Sequence, residues 1–286
     1  MRILAQCDEM KVVHRDNLQG DDVVQEAVRQ RLRDCRLYVF DLDGTVYEET
    51  NHFHVYGEEL ANRLPGERQQ RFRATAGAAL RQEGELAFGG SFDAGNGRYF
   101  AQGMDLPEGV DAGRLIHVDD PWGVYAALAL YHGITPEGLA EAFLTTREHM
   151  ASDQFSMKPM EGLREALLRM KSLSVHLVLA TNSPEPDSRA LLRKLQLDDL
   201  FEDHSFLSQK PHRIRELFRG WSKSFDVPLE LMASVGDHYR NEMSPATELG
   251  MATIYIDRYI RKPHPELTLQ LTHPGQLAST LLEVFG

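Results

Sequence analysis

Four short apolar runs punctuate the chain, and each stops abruptly at polar residues. Leu37-Tyr38-Val39-Phe40 ends at Asp41-Leu42-Asp43-Gly44-Thr45, and His176-Leu177-Val178-Leu179-Ala180 ends at Thr181-Asn182-Ser183. Residues 231–235 end at Gly236-Asp237, and residues 251–256 end at Asp257. Short runs of strand-forming residues bounded by turn chemistry predict buried strands. Between them, Leu163, Leu167 and Met170 repeat at helical spacing, as do Leu191 and Leu195. Pro184, behind the capping side chain of Ser183, suits the first turn of a helix. Strands alternating with helices imply right-handed βαβ units and a parallel sheet. The expected fold class is therefore α/β, a Rossmann-like parallel sheet flanked by helices.

The stretch from about residue 48 to residue 158 reads differently. Asp120-Pro121 and Thr135-Pro136-Glu137 mark helix starts ahead of residues 122–132 and 138–150, and residues 67–82 predict a third helix. No comparable strand pattern occurs here, and the glycine-rich segment 84–103 reads as a flexible loop. The expected organisation is an N-terminal extension over residues 1–36, with a helix over 21–33 and no assigned role. An α/β core follows over residues 37–49 and 158–286, interrupted by a mainly helical insertion over residues 50–157.

Composition narrows the classes of function. The chain has 286 residues, with 43 acidic against 31 basic side chains, so its net charge is 31 − 43 = −12. Hydrophobic residues at 42% and charged residues at 26% fit a globular chain with a real core and argue against disorder. The acidic balance argues against general nucleic-acid binding, which needs a basic surface, but leaves room for a local basic pocket that holds a small anion. Cys7 and Cys35 form neither a CxxC pair nor a disulfide framework, which points to a reducing cytoplasm. Residues 1–17 lack the apolar core of a signal peptide, and the longest apolar run, residues 124–131, is far short of the ~20 residues that a membrane span needs. The expected location is cytoplasmic, without a membrane partner. The oligomeric state is open.

Asp41-x-Asp43-Gly44-Thr45 at the end of a hydrophobic strand resembles the first motif of the haloacid dehalogenase-like (HAD) hydrolase superfamily. Later landmarks follow in that superfamily's order: Thr181, then Lys210-Pro211, then Gly236-Asp237 followed by Asn241 and Glu242. The resemblance covers about residues 37 to 260. It implies a Mg²⁺-dependent phosphatase, with the insertion over residues 50–157 acting as a helical cap that chooses the leaving group. It further implies Asp41, Asp43 and Lys210 as catalytic residues, Thr181, Asn182 and Lys210 around the phosphate, and Asp41, Asp43 and Asp237 as the residues holding Mg²⁺. Many relatives carry a further Asp where this chain has Asn241 and Glu242. Glu242 could reach the metal or its bound water, or could only cap the following helix.

The chemistry of these residue types agrees. Phosphate-ester cleavage needs a nucleophile, a proton donor for the leaving oxygen and positive charge around the phosphoryl oxygens. Asp41 can attack phosphorus, Asp43 can handle the proton, and Lys210 can supply fixed charge. An all-oxygen site suits Mg²⁺. The expected substrate is a small phosphorylated metabolite. A phosphomutase of the same superfamily, or a low-turnover regulatory or binding protein on the same fold, are the alternatives. A haloacid dehalogenase would not need Asp43.

Other signals admit bland readings. Arg63, Arg68, Arg71, Arg73 and Arg81 are either a guide for a phosphorylated substrate or a solvated helix face, and the latter is expected. His52 and His54 flank Phe53; on a helix, positions two apart share no face and could not bind a metal together, so the pair reads as surface or hinge residues, with substrate contact the alternative. Trp122, Tyr125 and Tyr131 read as core residues of a helix, and Ser183 and His238 as supporting or capping groups.

Overall fold

A computed structural model describes residues 26–84 and 86–286. Cys7 and the first part of the helix expected over residues 21–33 lie outside these described residues. The chain opens with α1 (Glu26–Arg33) and β1 (Leu37–Phe40). It continues through α2 (Asn51–Ala61), α3 (Gly66–Leu80), β2 (Ser91–Asp93), β3 (Arg98–Phe100), β4 (Ile116–His117), α4 (Pro121–Tyr131) and α5 (Pro136–Ala151). Then come α6 (Leu163–Ser172), β5 (His176–Ala180), α7 (Glu185–Lys194), β6 (Asp203–Ser205), α8 (Ile214–Ser224) and β7 (Met232–Gly236). The chain closes with α9 (Ser244–Glu248), β8 (Ala252–Ile256), β9 (Leu269–Leu271) and α10 (Gln276–Phe285). It divides into two compact units: the segment up to Glu48 together with Met157–Gly286, and Glu49–Ser156.

The first unit is built on a parallel six-stranded sheet in the order β6-β5-β1-β7-β8-β9. β1 is central and every residue in it is buried, which is why its sequence is continuously apolar rather than alternating. Its register aligns the strand ends: Phe40 pairs with Leu179 on one side and with Val235 on the other. The residues that follow these strands, Asp41, Thr181 and Asp237, therefore emerge at the same edge of the sheet, where open parallel sheets place their ligands.

Helix α8 shows how the sheet is covered. Ile214, Phe218 and Trp221 fall on one face and pack with Leu37, Val39 and Val178 of the sheet. Trp221 also donates its indole N–H to Asp203 Oδ2 at 2.7 Å, fastening the short edge strand β6. Strands β6 and β9 have three residues each, and β6 reads Asp-His-Ser; neither offers enough period for sequence reasoning to find. The expected extension also differs from what is observed over residues 26–36. Val28 and Leu32 of α1 are buried, and Arg33 Nε donates to Val284 O at 2.8 Å, so this helix is part of the first unit. Cys35 is buried, and burial pushes its thiol up to about 12, well away from a reactive thiolate.

The second unit, Glu49–Ser156, surrounds a core of Tyr56, Leu60, Phe72, Val124, Tyr125 and Leu128. Asp120 and Thr135 start α4 and α5 as their sequences predict: each side chain accepts from the backbone N–H three residues on, with proline at the next position. The glycine-rich segment is a correction. Within it β2 and β3 form a hairpin, joined by β4 into an antiparallel sheet in the order β3-β2-β4. Asp93 organises the turn by accepting from Gly95 N and Asn96 Nδ2. Three-residue strands are too short to show alternation, so only the glycines stand out in the sequence. Among the described residues, no helix is long and apolar enough to cross a membrane.

Phe218 is fully buried between α8 and the sheet. Phe218→Ala is expected to destabilise the first unit by about 3–5 kcal/mol. A denaturant titration checks this: the midpoint should fall while the slope with denaturant stays unchanged.

Candidate active site

The ends of β1, β5 and β7 deliver a cluster of charged side chains around one buried ammonium. Lys210 Nζ donates to Asp41 Oδ1 at 2.6 Å, to Glu242 Oε1 at 2.6 Å and to Ala180 O at 2.8 Å. An ammonium has three N–H donors, so all are used. Asp41, Lys210 and Glu242 are each less than a tenth exposed. Burial opposes the charge on Lys210, yet Asp41 and Glu242 outweigh it and its pKa is raised. Burial also raises the pKa of Asp41 against the pull of Lys210, with Asp43 adding repulsion. Glu242 is pushed up to about 7, by burial first and by the Asp41 charge, against the same pull. A single ammonium thus undercompensates two buried carboxylates.

The loops around the cluster are laced together. Asn182 Oδ1 accepts from Lys210 N at 2.7 Å, and its Nδ2 donates to Lys210 O at 3.1 Å. The Asn182 side chain is therefore spent on the main chain of Lys210, so any contact of this residue with a phosphate falls to its backbone N–H. Thr181 Oγ1 accepts from Ser183 N at 3.0 Å, which keeps its own proton available for an incoming acceptor. Asp43 takes hydrogen bonds on both oxygens, from Tyr47 Oη to Oδ1 at 2.6 Å and from Ser183 Oγ to Oδ2 at 2.7 Å.

Two glycines admit carboxylates against the backbone. Gly44 has φ +74°, and a Cβ there would overlap the Asp237 carboxylate. A Cβ on Gly236 would overlap the Glu242 carboxylate, whose Oε2 accepts from His238 N at 3.1 Å. Asp237 thus lies directly against the loop that carries Asp41 and Asp43. Among the described residues, no three histidine, cysteine or acidic side chains close into a ready-made cage. Mg²⁺ does not need one, since it binds through one or two carboxylates, waters and substrate oxygens. The undercompensated Asp41 and the adjacent Asp237 are a donor set of that kind. Glu242 is a poorer candidate, because both of its oxygens are already committed to Lys210 and His238.

The profile of the haloacid dehalogenase-like hydrolases matches residues 35–250. The chain belongs to that family. A curated relative, the glyceraldehyde 3-phosphate phosphatase of Pyrococcus abyssi (strain GE5 / Orsay), is 27% identical over 105 residues, which is 35% of this chain and 43% of the relative. The chain thus spans less than half the length of that relative. Among solved structures, the HAD hydrolase YfnB of Bacillus subtilis, bound to magnesium, superposes with a TM-score of 0.52 at 15% identity, covering 87% of this chain and 99% of that one. A proposed β-phosphoglucomutase of Thermotoga maritima gives 0.50 at 17% identity, with 87% and 99% covered. At such identities these likenesses speak for the fold alone.

Within this HAD-family chain, several residues belong to the second unit or take parts that their sequence does not signal. Arg63, Arg71, Arg73 and Arg81 pair with Glu59, Glu67, Glu58 and Glu83, while Arg68 Nη1 donates to His132 O. They form a solvated, ion-paired face. His52 is buried on α2 and stacks on Trp122, with ring centroids 5.4 Å apart, rather than lying at the surface. Glu242, expected as a metal contact or a cap, accepts from His238 N and is also the second partner of Lys210. Tyr47 gives no signal in the sequence except its place four residues after Asp43.

The shift of Glu242 sets a pH dependence. Its pKa is raised to about 7 in the folded protein, so its contribution to stability is fully present below its ordinary value near 4.5 and is lost as pH rises through 7. In chelator, urea-unfolding stability is expected to decline between about pH 4.5 and 7, and Glu242→Gln should flatten that slope. An unchanged slope in the variant would assign the decline to other groups.

Proposed function

We propose that this HAD-family chain is a Mg²⁺-dependent phosphomonoester hydrolase acting on a small phosphorylated metabolite in the cytoplasm. The observation that carries the reading is the buried Asp41 carboxylate held on Lys210 Nζ, two residues before an Asp43 carboxylate held on both oxygens. The curated relative, a glyceraldehyde 3-phosphate phosphatase, supports a phosphate ester as substrate.

One Asp41 oxygen, Oδ1, lies on Lys210; the other, Oδ2, accepts weakly from Thr45 Oγ1 at 3.4 Å and is the attacking atom in this reading. Attack on phosphorus forms an aspartyl-phosphate. The bond from phosphorus to the leaving oxygen breaks, its electron pair stays on that oxygen, and the proton comes from Asp43. Water then attacks the same phosphorus and gives its proton to Asp43. The acyl-phosphate bond breaks back to the Asp41 carboxylate, releasing inorganic phosphate. The Thr181 hydroxyl and the Asn182 N–H donate to phosphoryl oxygens, while Lys210, its three protons taken, contributes charge at short range. Asp41 and Asp237 offer carboxylates to Mg²⁺, and Asp43 could add one only by sharing an oxygen with Tyr47 or Ser183. When bound, the ion supplies positive charge against the phosphoryl oxygens. In this reading the inserted cap, residues 50–157, chooses among esters while the core performs the chemistry.

The test is phosphate release from an aryl phosphate and from a panel of phosphorylated metabolites, with Mg²⁺ and with excess chelator. Activity is expected only with the metal, and full activity in chelator would sink the reading. Asp41→Asn is expected to abolish turnover and phosphoenzyme together. Asp43→Asn should still be phosphorylated by an activated ester and then hydrolyse slowly. Identical behaviour of the two variants on that ester would overturn the division of roles.

A further inference from the structure

Asp43 is gripped from two sides by groups that no motif places in the chemistry. Tyr47 is only 1% exposed, so packing fixes its ring, and the turn through Gly44 carries its hydroxyl back to Asp43 Oδ1 at 2.6 Å. In that turn Thr45 and Val46 both donate their N–H groups to Leu42 O. Ser183 reaches the other oxygen at 2.7 Å from 140 residues away in sequence. It too is buried and pinned by its main chain: its N–H donates to Thr181 Oγ1, and its carbonyl accepts from Leu207 N at 3.1 Å. A carboxylate held on one oxygen can still swing about its Cβ–Cγ bond. Held on both oxygens by two packed donors, its plane is fixed.

We propose that Tyr47 and Ser183 are positioning residues that hold the Asp43 carboxyl in the orientation from which it passes a proton to the leaving oxygen and takes one from water. The inference rests on the phosphatase reading and deepens it by naming what aims its acid–base group. Neither side chain is assigned a contact with the phosphate or with Mg²⁺. Their loss should therefore touch proton transfer and leave ester binding alone, since misalignment of a well-placed catalytic group costs rate rather than affinity.

The dependence on leaving group separates this role from a merely structural one. An alkyl phosphate needs a proton on its leaving oxygen, whereas an aryl phosphate with an acidic phenol does not. Tyr47→Phe and Ser183→Ala are each expected to lower kcat/KM for the alkyl ester about 10-fold or more, a fraction of what general acid–base catalysis commonly supplies. For the activated aryl ester, kcat/KM should fall less than about threefold, with a burst of phenol ahead of a slowed steady state. KM for the alkyl ester should stay near wild type, and Ser183→Thr, which keeps the hydroxyl, should recover most of the rate. Equal losses on both esters, or no loss on either, would overturn the proposal. Crystal structures of the two variants and of the double variant provide an arm that needs no turnover. The Asp43 carboxylate should leave its wild-type orientation once both hydroxyls are gone, and an unmoved carboxylate would refute the holding role. Wild-type protein inactive on every ester would instead defeat the phosphatase reading, with the crystallographic arm still deciding the grip on Asp43.

Discussion

The architecture of the site depends on one buried cation. Lys210 Nζ joins the carboxylate at the end of β1, the last carbonyl of β5 and the carboxylate that follows β7, three segments that share nothing in sequence. Removing an ammonium and two carboxylates from water is expensive, and their mutual attraction offsets the cost only where the geometry is good. Here it is good: two contacts of 2.6 Å and one of 2.8 Å use every donor of the lysine. Burial nonetheless outweighs the pull of that single ammonium, so the pKa values of Asp41 and Glu242 are both raised.

Everything nearby keeps that cation in place. Asn182 grips the backbone of Lys210 by both of its amide atoms, and Gly236 leaves the gap in which the Glu242 carboxylate lies. Gly44 does the same for Asp237. The packing of the charged groups is thus distributed over an amide at Lys210, two glycines beside Glu242 and Asp237, and the Tyr47 and Ser183 hydroxyls at Asp43.

Much of this is legible in the order of residues alone. The strand ends stand out because a parallel sheet buried on both faces demands uninterrupted apolar runs, and such runs stop sharply at Asp41, Thr181 and Asp237. The order of those stops, with Lys210 between them, carries the resemblance to the HAD family. The rest is hidden for specific reasons. Strands of three residues, such as Asp203–Ser205 and the hairpin after Ser91, are too short for a period to emerge. Partners such as Lys210 with Glu242 depend on how loops converge, which no spacing encodes. The arginines between residues 63 and 81 look like a basic patch because three of their acids, Glu58, Glu59 and Glu83, lie outside that window.

The central position of β1 also sets an order of events during synthesis. Both neighbours of this strand come from much later in the chain, and Asp41 meets Lys210 across 169 residues. A growing chain therefore exposes an apolar strand and the carboxylate that ends it long before the groups that cover them exist. The contacts within Glu49–Ser156 close over shorter distances and can form first, shortening the loop that β1 must later close. Asp41 is among the first parts of the site to leave the ribosome, and it stays without its ammonium until Lys210 has followed.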